Sequence, residues 1–243
     1  MALKSYKIFL HCFTPSAKNS NSKTIDDQPL NPKQKKIMEI ICSLQPQYTA
    51  DIGGNGSQYG AILAANAIKF ISIDTNLDSL DKSYIAFIKN NKTSGEYFYV
   101  AAADFIKPPL ASHLGPIDSS GNIIPFCPAF KDRLPVIDLA LMLNMVHNLC
   151  FIHNLIFSDI VKQATIFTKN YLLIEFLTCK HRQIKKWLKD PKLTHKSWYN
   201  TANFISALQD HFEILNEYDL ESTHENIQKG ESLLFLCKIK QTN

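Results

Sequence analysis

Apolar and polar positions along this chain switch repeatedly between helical and strand periodicity. From Lys33 onward, Ile37, Met38, Ile40, Ile41 and Leu44 fall on one helical face, and Pro46 closes the run. "YTADI", residues 48–52, reads as a strand running into a glycine turn, and "AILAANAI" behind it as a helix. "FISID" is a short strand ending in an acid, Leu77, Leu80, Tyr84 and Ile88 recur at helical spacing, and "YFYVAAADF" is a third strand. A proline-rich excursion over 107–135 precedes "VIDLALML", an unbroken apolar strand. A helix over 156–169 carries Ile156, Ile160, Ala164 and Phe167 on one face. "YLLIEFL" is the fifth strand, "NFISALQDHF" a helix, and "EILNEY" and "SLLFLCKIK" close the chain as two strands.

Strands that alternate with helices and read as continuous apolar runs belong to a parallel sheet covered on both faces. The last two strands have no helix between them, which predicts an antiparallel hairpin at one edge. The expected fold is therefore α/β, a doubly wound Rossmann-like sheet, mostly parallel. Residues 14–32 are polar, aperiodic and carry three prolines, so 1–32 is expected to be a flexible arm and 33–243 one domain.

Composition changes this picture little. A formal charge of +4 on 243 residues permits an anionic partner without demanding one. Cys12, Cys42, Cys127, Cys150, Cys179 and Cys237 form no CxxC pair, which suits a reducing, cytoplasmic compartment and no structural zinc. The apolar run near the N-terminus is too short for a signal peptide. The run over 136–157 holds Asp138, Asn144, His147, Asn148, His153 and Asn154, too many polar groups for a lipid-facing span.

Ligands of such sheets bind beyond the carboxyl ends of the strands, where the strand order reverses. The residues there are Asp51, Gly53, Gly54, Asn55 and Gly56 after strand one, Asp74 after strand two, and Asp104 after strand three. Asn144 and His147 follow strand four, and Glu175 is expected at the end of strand five. Glycines let backbone approach a ligand, and the next helix start offers free N–H donors. Asp74 lies about 20 residues beyond the turn, the separation at which a carboxylate meets ribose hydroxyls. No GK[ST] follows the glycines, which excludes a P-loop, and the spacing is not G-x-G-x-x-G. Asp51 would repel a pyrophosphate and suits a cationic ligand, so a nucleoside without phosphate fits best: S-adenosyl-L-methionine, with its sulfonium and ammonium.

"DIGGNGSQYG" followed by "FISIDTN" resembles motifs one and two of class I S-adenosylmethionine-dependent methyltransferases. The resemblance implies that Asp51, Gly53 and Asn55 hold the methionine part, Asp74 the ribose and Asp104 the adenine amino group. Over roughly residues 30–240, "FCPAFKDRLPVIDLALMLNMVHNL", "YLLIEF" and "FISALQDHFEIL" resemble the nodulation-protein NoeA-like methyltransferases. Ser57 stands where many methyltransferases have a third glycine, and Asn148 where the NoeA-like proteins often have a second histidine.

On the acceptor side His147 is the candidate base, set against a histidine packed under a helix. Glu175 is either a site residue or an internal anchor, and Asn144 either orients an acceptor or caps a helix. The stretch 180–199 is cationic, with Trp187, Trp198 and Tyr199 interleaved; it suits RNA by phosphate contact and stacking, or the solvated face of an amphipathic helix. The expected function is methyl transfer to an unidentified acceptor, a small molecule, RNA or protein, with no membrane involved. The alternative is an inactive binding module that keeps the fold.

Overall fold

Seven strands hydrogen-bond in the order β3-β2-β1-β4-β5-β7-β6. This computed structural model describes residues 30–54, 59–90, 97–110, 119–120, 129–190, 192–193, 196–220 and 230–241. The arm expected over 1–32 therefore lies outside the described residues up to position 29, and so does most of the excursion over 107–135.

Helix α1 (Pro32–Leu44) begins where local chemistry allows it. The Asn31 side chain accepts from Gln34 N at 2.9 Å and the Gln34 side chain returns to Asn31 N at 2.8 Å, with Pro32 in the first turn. Ile37, Met38, Ile40 and Ile41 are its buried face, and Gln45 ends it in a left-handed conformation. Strand β1 (Tyr48–Ile52) follows, then α2 (Gly60–Ala65), β2 (Lys69–Asp74), α3 (Leu77–Asn90) and β3 (Phe98–Ala102). The short α4 (Phe130–Arg133) leads to β4 (Leu139–Met142), α5 (Val146–Phe151) and α6 (Phe157–Ala164). Strand β5 (Tyr171–Leu177), α7 (Arg182–Leu188), α8 (Thr201–His211), β6 (Phe212–Asp219) and β7 (Ser232–Ile239) complete the order.

Strands β1 to β5 are mutually parallel, and β7 runs antiparallel to both β5 and β6. The doubly wound sheet with an antiparallel edge is thus as the periodicity predicts. Alternate residues of each strand feed two cores, because successive side chains point to opposite faces. Leu139, Leu141, Leu173, Leu234 and Leu236 join Ile37, Met38 and Phe70 on one face. Ala140, Met142, Ile174 and Phe235 join the other, where Phe176 stacks on Phe204 with ring centroids 4.5 Å apart. Gly60 lies so close to the sheet that a Cβ there would stand 2.7 Å from the Phe98 ring, which only glycine permits.

Several boundaries differ from the periodic reading. The helix expected over 61–68 stops at Ala65, since Ala67 is left-handed and Ile68 N turns back to Leu63 O. The helix expected over 156–169 is only Phe157–Ala164, and Ile156 at its N-cap is exposed. Leu77, which the helical spacing groups with Leu80 and Tyr84, is exposed as well. Strand β4 begins only at Leu139, although Asp138 still donates its N–H to Tyr48 O at 3.0 Å and accepts at its carbonyl from Tyr171 N at 2.8 Å. Its carboxylate accepts from Gln47 N and Tyr48 N at 3.0 Å and from Asn170 Nδ2 at 3.0 Å, joining the amino ends of β1 and β5. No helix among the described residues is long and apolar enough to cross a membrane.

Candidate functional site

The order reverses between β1 and β4, so the crevice for a ligand opens beyond their carboxyl ends. Strand β1 ends with its ladder extended by Gly53, whose N–H donates to Ile73 O at 2.8 Å while its φ is +69°. A Cβ there would be strained and would lie 3.1 Å from Met145 Sδ. Gly54 is more constrained still: a Cβ would stand 2.6 Å from Asp51 Cγ and overlap Oδ2. The Asp51 carboxylate, buried at 3% exposure, is thus folded under the turn against its backbone. Asn55, Gly56 and Ser57 lie outside the described residues.

Strands β3, β2 and β1 are adjacent, and each carries an acid at the same edge. Asp74 is the last residue of β2; its Oδ1 accepts from Asn76 N at 2.9 Å, and the Asn76 side chain in turn caps α3 through Ser79 N. Asp104 lies two residues beyond β3, with Oδ1 accepting from Ile106 N at 2.8 Å. Both carboxylates are half-buried. Asp51 is level with Ser72 and Asp74 with Ala102, so each acid stands two residues further along than its neighbour. The row from Asp51 through Asp74 to Asp104 therefore runs diagonally across three strand ends, about 16 Å long.

The acceptor-side residues require correction. Glu175 does not end β5: it is the fifth of seven strand residues, at 2% exposure. Lys33 Nζ donates to both of its oxygens at 2.7 Å, Ser232 Oγ to Oε1 at 2.7 Å and Asn144 N to Oε2 at 2.8 Å. Four hydrogen bonds fill the carboxylate, which makes it an anchor joining α1, β4, β5 and β7. Asn144 does not cap α5, whose start has no side-chain cap; it is exposed, with φ +54°, and its backbone is tethered to Glu175.

His147 lies in the first turn of α5 at 2% exposure, its ring 5.7 Å from that of Trp187. Burial pushes its pKa down to about 4; Glu175 pulls it up, while His181 and Lys33 add to the depression. The ring is neutral near pH 7.

Lys33 and Tyr59 join the site without any signal in the spacing. Tyr59, at 4% exposure, has its hydroxyl pKa raised, first by burial, then by Asp51 and Glu175, so its phenol lies within the field of both acids. Trp187, Trp198 and Tyr199 are not a stacking platform. Trp187 packs on Phe151, Trp198 packs edge-on to Phe157, and Tyr199, 1% exposed, donates to Leu177 O at 2.8 Å.

No protein-family model matches the sequence, and no curated protein matches it. Solved structures do. The N-methyltransferase NodS from Bradyrhizobium japonicum WM9 superposes with TM-score 0.54 at 12% identity, over 89% of this chain and 100% of that one. The same protein in complex with S-adenosyl-l-homocysteine gives 0.55 at 12% identity, over 98% and 99%. A SAM-dependent methyltransferase from Methanosarcina mazei gives 0.53 at 16% identity, over 79% and 91%. Sheet order, the antiparallel edge and these superpositions together give the chain the fold of the class I S-adenosylmethionine-dependent methyltransferases.

Proposed function

We propose that the chain is an S-adenosylmethionine-dependent methyltransferase. The observation that carries this reading is the row of acids beside a glycine turn with no room for Cβ atoms. Its sequence from β3 to β1 matches, in order, what the adenine amino group, the ribose hydroxyls and the cationic methionine part would seek. The carboxylates suit a cation and would repel a pyrophosphate, and the glycines leave room for the Asp51 carboxylate to tuck against the turn, so the residues present fit the cofactor.

When bound, S-adenosylmethionine supplies a sulfonium-activated methyl group. The chain's own contribution is placement. Asp51 faces the ammonium, Asp74 accepts from the ribose with its orientation set by Asn76 N–H, and Asp104 stands at the adenine end. Asn144 at the end of β4 is left to orient the acceptor; fixing the reactants in line is worth up to about 7–11 kcal/mol. Neither Glu175, with its oxygens filled, nor His147, buried with a pKa of about 4, is a strong base. The acceptor is accordingly one whose nucleophile is acidic or already neutral, its proton passing to solvent.

Asp74→Ala tests the cofactor site by calorimetry with S-adenosylmethionine. Affinity is expected to fall at least tenfold, from two charge-assisted ribose bonds worth roughly 1.5–3 kcal/mol. The fold should persist, because Asn76 rather than Asp74 caps α3. Unchanged affinity in a folded variant would remove the ribose assignment.

His147 gives a second test. Its depressed pKa means that, between pH 6.5 and about 4, the unfolded chain takes up a proton that the folded chain resists. The contribution is intact above pH 6.5 and is lost as pH falls to about 4, amounting to about 3 kcal/mol. His147→Leu should flatten the melting temperature against pH in this window and leave methyl incorporation per folded molecule nearly unchanged. A loss of about 100-fold in turnover with unaltered melting would make the ring the base instead.

A further inference from the structure

The mild overall charge conceals a strong local one. Residues 180–199 hold seven of the chain's 26 Lys and Arg but only one of its 22 Asp and Glu, so this segment is +6 and the remainder of the chain −2. The structure sorts these cations. Lys196 is buried at 2% exposure, donates to Asn154 Oδ1 at 2.9 Å and lies over the Phe151 and Trp198 rings, so it belongs to the core. Arg182, Lys185, Lys186 and Lys189 are all exposed and recur at helical spacing along one face of α7 and its C-cap, opposite buried Ile184. With Glu231 they line an open groove of about 400 Å³. Among the described residues none of the four makes an ion pair.

The groove stands at the acceptor edge of the sheet. Helix α7 follows the carboxyl end of β5, and Glu231 immediately precedes β7 at that same end. The other side of α7 presents Trp187 to His147 of α5, so the cationic face is about one helix diameter, some 10 Å, from that contact.

We propose that this face of α7 docks the phosphodiester backbone of an RNA acceptor; the proposal rests on the methyltransferase reading above. Four cations against one carboxylate complement a polyanion. Three of them are lysines, which serve phosphate as mobile point charges. A lipid surface would call for an apolar face beside the charges, and the apolar residues of α7, Ile184, Trp187 and Leu188, are turned into the core. With Trp187, Trp198 and Tyr199 committed to packing, recognition runs through backbone phosphates rather than base stacking, and therefore favours duplex over unpaired RNA.

The experiment is fluorescence anisotropy with a short fluorescein-labelled RNA duplex, titrated with the full chain over a range of salt concentrations. Binding should weaken with salt along a log–log slope of about −3 to −4, the value for four neutralised phosphates. The charge reversal Lys185→Glu/Lys186→Glu, at exposed positions, should lower affinity at least tenfold and flatten the slope by about 2. Circular dichroism checks that the variant is folded. Equal binding of polyglutamate or of phosphatidylserine vesicles, or a slope near zero, overturns the proposal. Calorimetry with S-adenosylmethionine on the same wild-type sample separates the two readings. Cofactor binding without RNA binding overturns only the docking surface, and RNA binding without cofactor binding overturns the methyltransferase.

Discussion

Gly54→Ala is expected to weaken S-adenosylmethionine binding by about 100-fold or more, the largest loss of any single methyl group in this chain. The added Cβ would stand 2.6 Å from Asp51 Cγ and 3.2 Å from Oδ1, as well as overlapping Oδ2. Asp51 has nowhere to retreat: it lies in the sheet between Ser72 and Leu141, at 3% exposure. Either the carboxylate or the turn must move, and both form the proposed methionine cradle. Overpacking of this kind costs about 1–3 kcal/mol in stability, so the melting temperature should drop by a few degrees while the sheet survives. Calorimetry and a thermal melt on one preparation separate the two effects. If a folded Gly54→Ala protein binds the cofactor as well as wild type, Asp51 is not part of the binding site.

The second large effect is on stability. Lys33→Ala leaves Glu175 a buried carboxylate with only two neutral donors, Ser232 Oγ and Asn144 N. Removing one partner of a buried pair costs about 3–5 kcal/mol, and the 33% exposure of the Lys33 side chain admits some water and places this case at about 3. Adding Glu175→Gln to Lys33→Ala should restore much of the loss, since the uncompensated charge is then gone. Urea denaturation of the two single variants and the double one measures the coupling. A cost below about 0.5 kcal/mol for Lys33→Ala would mean that the pair contributes no more than a surface ion pair. The same anchor tethers Asn144, so Lys33→Ala should also loosen the loop after β4, where the acceptor is proposed to lie.

How much of this was legible beforehand depends on the range over which each feature is determined. The parallel sheet could be anticipated because unbroken apolar runs such as "YLLIEFL" demand cover on both faces, and helices between them enforce parallel crossovers. Asp51, Gly53, Gly54 and Asp74 were visible because a tight turn and the acids beside it are properties of a few consecutive residues. The errors lie where a distant partner outweighs local preference. Asp138 reads as one more strand residue, yet its carboxylate holds the amides of Gln47 and Tyr48, some 90 residues away, a role nothing local announces.

Glu175 shows the same limit at the site itself. Spacing can mark an acid in an apolar strand, but whether it is a base or an anchor is decided by Lys33, 142 residues earlier, and by Ser232, 57 residues later. Tyr59 and Trp187 carry no periodic signal of their roles; only folding brings one phenol into the field of two acids and one indole against His147. The sequence by itself determined the mostly parallel sheet with its antiparallel edge, and the acids beside the ends of β1, β2 and β3, because backbone patterning and turn chemistry are local; the strand order and its switch point came with the tertiary structure. Tertiary structure alone decided which of those polar groups remain open to a ligand and which are consumed in holding the sheet together, because a hydrogen-bond acceptor is used up by whatever donor the fold brings nearest.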